Sequence, residues 1–218
     1  MIKSPHVAYK QIPTLSNILE RFSDLKAVIF DMDGTLFDSE IFHTKALMEI
    51  GNQFQIIPPY PAHEVHQLLM GKADHLIFEI VKEWQGFPKD LGIAEFIELK
   101  NKSLKVQLSQ TASHKFFPPS LLSLLKEIQQ SPLKLALVTS SERVVVENML
   151  SMTGITDLFN YTLTRDESEF VKPNPWPYSN MLQTLKLDGE EVLVFEDSNV
   201  GMRSALDAGC NVAQVLWF

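Results

Sequence analysis

Two aspartates directly after an apolar run are the part of this sequence best suited to do chemistry. The run Ala27-Val28-Ile29-Phe30 leads into Asp31-Met32-Asp33-Gly34-Thr35. Residues two apart in extended backbone point to the same side, so the two aspartates can meet in one small volume. Carboxylates that close repel each other unless a cation or a shared proton relieves them. An ordinary acidic turn is the alternative for this motif alone. A calcium-binding EF-hand loop is excluded, because Leu36 and Phe42 occupy the positions of its glycine and glutamate.

Three further polar groups follow apolar runs or lie in a rigid loop. They are Thr139-Ser140-Ser141 after residues 135–138, Glu196-Asp197 after residues 192–195, and Lys172 in the proline-rich stretch 171–175. Parallel strands bring their carboxyl ends to one edge of a sheet, which is where such sheets bind ligands. We therefore expect Thr139, Glu196 and Asp197 to lie beside the first two aspartates.

Together these residue types are typical of a site for a phosphate and a metal ion. Several carboxylates with little positive charge nearby favour a hard cation, and Mg²⁺ fits that description. Lys172 can present a compact positive charge to a phosphate, and Thr139 a hydroxyl. Ser140 or Ser141 can add backbone donors near a helix N-terminus, which favours anions. A carboxylate in such a site can act as a nucleophile and form an aspartyl phosphate.

The elements that must position these groups alternate between strands and helices. Residues 27–30 are apolar at every position, which predicts a parallel strand buried on both faces. Further strands are predicted at 135–138, 161–163, 192–195 and 212–215, with amphipathic helices between them. This alternation predicts an α/β fold with a doubly wound parallel sheet and right-handed crossovers.

Domain organisation follows from the stretches that lack this alternation. Residues 39–115 show helical patterns without a strand signal and predict an all-helical cap domain. Residues 27–38 and 116–218 then form the core domain. Residues 1–26 are predicted as an N-terminal arm, loose up to residue 13, followed by a short helix that Thr14 caps.

Composition excludes several classes of partner. The 218 residues carry 19 basic and 27 acidic side chains, a formal charge of −8, without a Lys/Arg cluster. This argues against nucleic acid or an anionic membrane as the main partner. Cys210 is the one cysteine, so no intramolecular disulfide can form, and neither a membrane span nor a secretory signal is evident. We predict a cytoplasmic protein that is a monomer or weak dimer.

The polar groups, in this order, resemble the motifs of the haloacid dehalogenase superfamily. The similarity is to its phosphatase and β-phosphoglucomutase-like group, in which a helical cap follows the first motif, and it covers residues 27 to 215. The four matching stretches are Asp31-Met32-Asp33-Gly34-Thr35, Val138-Thr139-Ser140-Ser141, Lys172-Pro173-Asn174-Pro175 and Phe195-Glu196-Asp197-Ser198-Asn199-Val200-Gly201. The resemblance implies a Rossmann-like core and a Mg²⁺-dependent enzyme.

The resemblance also implies a role for individual residues. Asp31 would be the nucleophile and a Mg²⁺ ligand, and Asp33 would protonate the leaving oxygen, activate water and bind the metal through its carbonyl. Thr139 and Lys172 would complete the catalytic set by holding the phosphoryl group. The remaining assignments are metal binding for Glu196 and Asp197, and substrate binding for Gly34, Ser140, His43 and Lys72. Lys72 follows Gly71 in a loop of the cap, which would act as a lid over the substrate.

Three functions compete on this basis. The leading hypothesis is a Mg²⁺-dependent phosphatase that hydrolyses a small phosphorylated metabolite, a sugar or nucleoside monophosphate, through an aspartyl phosphate. A β-phosphoglucomutase-like phosphomutase is the alternative. Such mutases resemble this chain but carry an arginine three residues after the cap glycine, where Asp74 would here repel a second phosphate. A non-catalytic phosphate-binding or regulatory protein would be expected to have lost Asp31, Asp33, Lys172 or Asp197, and all four are present.

Overall fold

The computed structural model describes residues 6–69, 72 and 74–218 of the chain. It divides into two compact units, one formed by residues up to Asp38 together with Ser113–Phe218, and the other by Ser39–Ala112. Among the described residues, no helix has both the length and the apolar character that a membrane crossing requires.

A parallel sheet of six strands forms the centre of the first unit. In chain order the strands are β1 His6–Tyr9, β2 Ala27–Phe30, β3 Lys134–Val138, β4 Tyr161–Leu163, β5 Val192–Glu196 and β6 Asn211–Val215. Their spatial order is β1-β6-β5-β2-β3-β4, and every pairing is parallel. β2 and β5 are buried at every position, as the apolar runs 27–30 and 192–195 predict. The predicted fold class is therefore confirmed.

Helices cover the sheet through their apolar sides. The helices of this unit are α1 Leu15–Arg21, α6 Pro119–Gln129, α7 Arg143–Thr153, α8 Trp176–Leu185 and α9 Asn199–Asp207. Ala27 and Ile29 of β2 belong to a buried cluster with Tyr178 of α8 and Ala205 of α9. Thr14 caps α1 as expected, because its hydroxyl accepts from the backbone of Asn17 and a reciprocal contact completes a capping box.

The prediction of a loose arm up to residue 13 was wrong for residues 6–9. These residues form β1, which pairs in register with β6 from His6↔Val212 to Tyr9↔Val215. The sequence hid this strand because it has four residues whose exposure alternates, and because its partner lies some two hundred residues further along the chain. Residues 1–5 lie outside the described residues.

The second unit is helical and has its own core. Its helices are α2 Glu40–Phe54, α3 Ala62–Leu69, α4 Asp74–Val81 and α5 Ile93–Ser109. A buried cluster that includes Ile50, Val65, Ile77 and Phe96 draws on all four. α2 continues through Gly51 and stops where Gln55 takes a left-handed backbone conformation (φ 57°). Ser39 is the N-cap residue of this helix, and its side chain makes no capping hydrogen bond to it.

Candidate active site

The carboxyl ends of the three central strands bring the predicted carboxylates together. Asp31 follows β2, Thr139 follows β3, and Glu196 is the last residue of β5. The register places Phe30 opposite both Leu137 and Phe195, so the three strands end at the same level. The ladder continues one step further, where the Asp31 amide donates to the Phe195 carbonyl at 3.0 Å. The buried centre of the sheet thus fixes the backbone position of Asp31, the candidate nucleophile.

Lys172 lies at the centre of these strand ends. Its Nζ is 2.7 Å from Asp31 Oδ1, 2.6 Å from Glu196 Oε1 and 3.1 Å from the Val138 carbonyl. Only 6% of the lysine side chain is exposed to solvent. Burial acts to lower the pKa of Lys172, but the carboxylates of Asp31 and Glu196 outweigh it and hold this pKa well above its usual value. The ammonium therefore stays charged and links the ends of β2, β3 and β5.

Three carboxylates lie close together at these strand ends. One oxygen each of Asp31, Glu196 and Asp197 lies within 4.8 Å of the others. Burial is the largest cause that raises the pKa of Asp31 well above its ordinary value; Lys172 opposes it, and the charges of Glu196 and Asp197 add to it. A divalent cation would balance the excess negative charge, and a set of hard oxygen donors fits Mg²⁺. The residues present thus suit a metal ion of this class.

Glu196 makes two further contacts that the sequence did not reveal. Its Oε1 also accepts from the Tyr178 hydroxyl at 2.9 Å, and its Oε2 accepts from Ser198 Oγ at 3.0 Å. Tyr178 is fully buried, and its ring centroid lies 5.0 Å from Lys172 Nζ. From sequence, Tyr178 is one apolar-face residue of α8 among several, so only the fold shows that it supports the lysine and the glutamate.

The loop after β2 is held against the neighbouring strand ends by short polar contacts. The Thr35 hydroxyl donates to Asp197 Oδ1 at 3.1 Å, and the Ser141 hydroxyl donates to Asp33 Oδ2 at 2.5 Å. The Ser141 amide in turn donates to Thr139 Oγ1 at 3.0 Å. Ser141 thus contacts a candidate catalytic residue, while the substrate-binding role of Ser140 stays a prediction. Ser140 lies half-buried beside it.

The start of α7 is less open to an anion than the sequence suggested. The backbone amide of Arg143 donates to Asp166 Oδ2 at 2.6 Å. The Arg143 guanidinium pairs with Glu167, which is fixed by the hydroxyl and amide of Thr164. One of the free donors expected at this helix N-terminus is therefore satisfied by the protein itself.

Gly34 is required where it stands, and Gly34→Ala should lower both activity and stability. Its φ is +79°, and a Cβ there would collide with the Asp197 carboxylate. We expect a loss of about 1–2 kcal/mol from backbone strain, and a fall in turnover of roughly 100-fold because Asp197 must move. Urea unfolding and phosphate release would measure the two effects.

Gly154→Ala is the matched control for that variant. Gly154 ends α7 with φ +70°, but a Cβ there would meet open space. The control should lose a similar amount of stability while keeping its activity. If both variants lost activity alike, the collision with Asp197 would not be the cause.

Two of the predicted substrate-binding residues, His43 and Lys72, belong to the helical unit. His43 is partly buried on α2, and Lys72 is exposed. Gly71, which precedes Lys72 in the cap loop, lies outside the described residues. Asp74 forms an ion pair with Lys100 of α5, a lysine that is only 2% exposed. The prediction that Asp74 would repel a second phosphate is thereby weakened, because an adjacent buried ammonium offsets its charge.

The chain is similar to known proteins over most of its length. The family model described as haloacid dehalogenase-like hydrolase matches residues 28–215. A phosphorylated carbohydrates phosphatase of Thermotoga maritima is 28% identical over 192 residues, which cover 85% of this chain and 82% of that protein. A phosphoglycolate phosphatase of Vibrio parahaemolyticus is 27% identical, with coverages of 86% and 82%. The crystal structure of CbbY from Rhodobacter sphaeroides in complex with phosphate matches with a TM-score of 0.77 at 24% identity, covering 86% and 84% of the two chains, a likeness that shows the fold.

Proposed function

Because the chain belongs to the haloacid dehalogenase-like hydrolase family, we propose that it hydrolyses the phosphate monoester of a small metabolite, a sugar or nucleoside monophosphate, with the help of Mg²⁺. Membership makes the chain a phosphoric monoester hydrolase. The relative that acts on phosphorylated carbohydrates supports the substrate class. The observation that carries the proposal is the Lys172 ammonium, which pairs with Asp31 and Glu196 at the ends of the central strands. A carboxylate oxygen of Asp197 lies within 4.8 Å of oxygens of both acids.

In the proposed first step, a carboxylate oxygen of Asp31 attacks phosphorus and the ester bond to the leaving oxygen breaks. Asp33, held by the Ser141 hydroxyl, gives its proton to that oxygen. The phosphoryl group is then bound to Asp31 as an acyl phosphate. Lys172 lies 2.7 Å from Asp31, where its charge orients the nucleophile and offsets the phosphoryl oxygens.

In the proposed second step, Asp33 takes a proton from water as the water attacks phosphorus. The bond between phosphorus and Asp31 breaks, which releases inorganic phosphate and restores both carboxyl groups. The proposed metal ligands are the carboxylates of Asp31, Glu196 and Asp197 and the backbone carbonyl of Asp33. A bound Mg²⁺ would supply positive charge to the phosphate. Thr139 is proposed to bind the phosphoryl group through its hydroxyl.

Substrate selection is proposed for the helical unit. The family resemblance implies a cap that chooses the leaving group, and His43 and Lys72 are the residues proposed to contact it. The β-phosphoglucomutase-like alternative keeps one specific observation in its favour, since Lys100 offsets the charge of Asp74. An unpaired aspartate at position 74 would repel a second phosphate, whereas the Asp74–Lys100 ion pair repels it less.

Phosphate release from a panel of sugar and nucleoside monophosphates tests the proposal. We expect turnover with Mg²⁺ and a loss of at least roughly 100-fold after removal of divalent ions with a chelator, restored when Mg²⁺ is added back. Release that persists in chelator would contradict the metal dependence. If no compound released phosphate while β-glucose 1-phosphate was converted to glucose 6-phosphate, the mutase alternative would replace the phosphatase.

A further inference from the structure

The segment after β6 returns to the loop that carries Asp31. The Leu216 amide donates to the Tyr9 carbonyl of β1 at 2.9 Å, which extends the edge pairing by one step. The next residue, Trp217, donates its indole Nε1–H to the Thr35 carbonyl at 3.1 Å. Thr35 is fully buried and lies 182 positions away in sequence. A side chain from the far end of the chain thus holds the backbone of the first motif.

The indole ring of Trp217 is itself fixed by aromatic packing. Its ring centroid lies 5.8 Å from that of Phe195 in β5. Phe195 stacks on Phe30 of β2 at 4.7 Å with an interplanar angle of 5°, and on Tyr9 at 6.0 Å. Phe30 and Phe195 directly precede Asp31 and Glu196. The indole is therefore anchored to the same two strands that deliver the candidate catalytic carboxylates.

Thr35 also contacts Asp197, one of the three clustered carboxylates. While its carbonyl accepts from Trp217, its hydroxyl donates to Asp197 Oδ1 at 3.1 Å. Gly34, the preceding residue, lies against the same carboxylate with no room for a Cβ. A shift of Thr35 would therefore move Asp197 or break its hydrogen bond. The loop itself is a tight turn in which the Leu36 and Phe37 amides both donate to the Met32 carbonyl, so an outside support at Thr35 acts on the whole turn.

We propose that Trp217 is a positioning residue of the active site, whose indole N–H holds Thr35 so that Thr35 and Asp197 keep their relation to Asp31. The catalytic consequence rests on the proposed phosphatase function, but the structural consequence does not. Trp217 contacts the Thr35 carbonyl and the Phe195 ring, and the proposed effect on the site runs through Thr35. Its effect should therefore appear in the order of the loop, in metal affinity and in kcat.

The test is Trp217→Phe, which keeps an aromatic ring on Phe195 and removes the N–H donor. Without a divalent ion, hydrogen exchange of peptides that span residues 32–38 should be roughly tenfold faster, while peptides of β3 keep their protection. Calorimetric titration with Mg²⁺ should give a dissociation constant raised severalfold. With the best substrate of the panel, kcat should fall about tenfold while KM changes less than twofold.

Trp84→Phe is the matched control, since it removes an indole N–H from a half-buried tryptophan of the helical unit. It should leave exchange of residues 32–38 as in the native protein. Unchanged loop exchange and unchanged Mg²⁺ affinity in Trp217→Phe would overturn the proposal, as would faster exchange spread evenly over all strands. If the native protein released phosphate from no compound, the proposed function would fail, yet the exchange and titration results would still decide the role of Trp217.

Discussion

Asp31→Asn is expected to lower phosphate release by about 10⁴-fold or more, down to the background of the assay. Asparagine has nearly the same shape as aspartate, and its amide oxygen can still accept from Lys172 at the position of Asp31 Oδ1. It lacks the charge and the nucleophilic oxygen that must bond to phosphorus. The measurement is single-turnover release of phosphate with the best substrate of the panel, with the mass of the variant checked so that deamidation cannot restore aspartate.

The same variant should be at least as stable as the native protein when no divalent ion is present. Burial raises the pKa of Asp31, with Glu196 and Asp197 adding to the shift against the opposing effect of Lys172, so ionised Asp31 destabilises the fold near neutral pH. Addition of Mg²⁺ should raise the melting temperature of the native protein, and it should raise the melting temperature of Asp31→Asn much less.

Asp24→Asn is the control for Asp31→Asn, because it makes the same change at an exposed turn just before β2. It should keep both turnover and the stabilisation by Mg²⁺. If Asp31→Asn retained more than about a hundredth of native turnover, Asp31 would not be the nucleophile.

Much of the fold, and the grouping of the candidate site's carboxylates, could be predicted because their signals are local. The strands at 27–30 and 192–195 are apolar at every position, and this pattern alone indicates burial on both faces. The topology then places the residues after them at one edge, which brings Asp31, Glu196 and Asp197 together. The structure also brings Lys172 to them, although its loop carries no periodicity that would locate it.

What could not be predicted depends on contacts between distant parts of the chain. β1 is a strand only because β6 lies beside it. Neither its four-residue sequence nor its exposure pattern identifies it as a strand in isolation. In the sequence, nothing distinguishes Tyr178 from the other residues on the apolar face of α8. In the fold, its ring lies against the Lys172 ammonium and its hydroxyl donates to Glu196. Ser140 and Ser141 cannot be told apart by type, and the backbone path after β3 decides which of them reaches Asp33.

Lys172→Met is expected to have the largest effect on stability. Methionine fills a similar volume but leaves Asp31 and Glu196 as buried carboxylates without their common cation. Loss of one partner from a buried ion pair costs about 3–5 kcal/mol, and turnover should fall at least roughly 1000-fold. Urea unfolding in chelator measures the first effect. Lys82→Met, which removes an exposed partner of Glu79, should change stability by less than about 1 kcal/mol.

The stability deficit of Lys172→Met should depend on pH, and its direction identifies the cause. The pKa of Asp31 is raised in the folded native protein, and loss of the opposing ammonium should raise it further. A carboxyl group whose pKa is higher in the folded than in the unfolded protein stabilises the fold fully at pH values below its unfolded pKa. This stabilisation is lost as the pH rises through the folded pKa. The deficit relative to the native protein should therefore be smaller near pH 5 than near pH 8. Addition of Asp31→Asn to Lys172→Met should recover part of it, because one of the two unpaired charges is gone. A deficit that was the same at both pH values, and was not reduced in the double variant, would mean that Lys172 stabilises the fold through packing rather than charge.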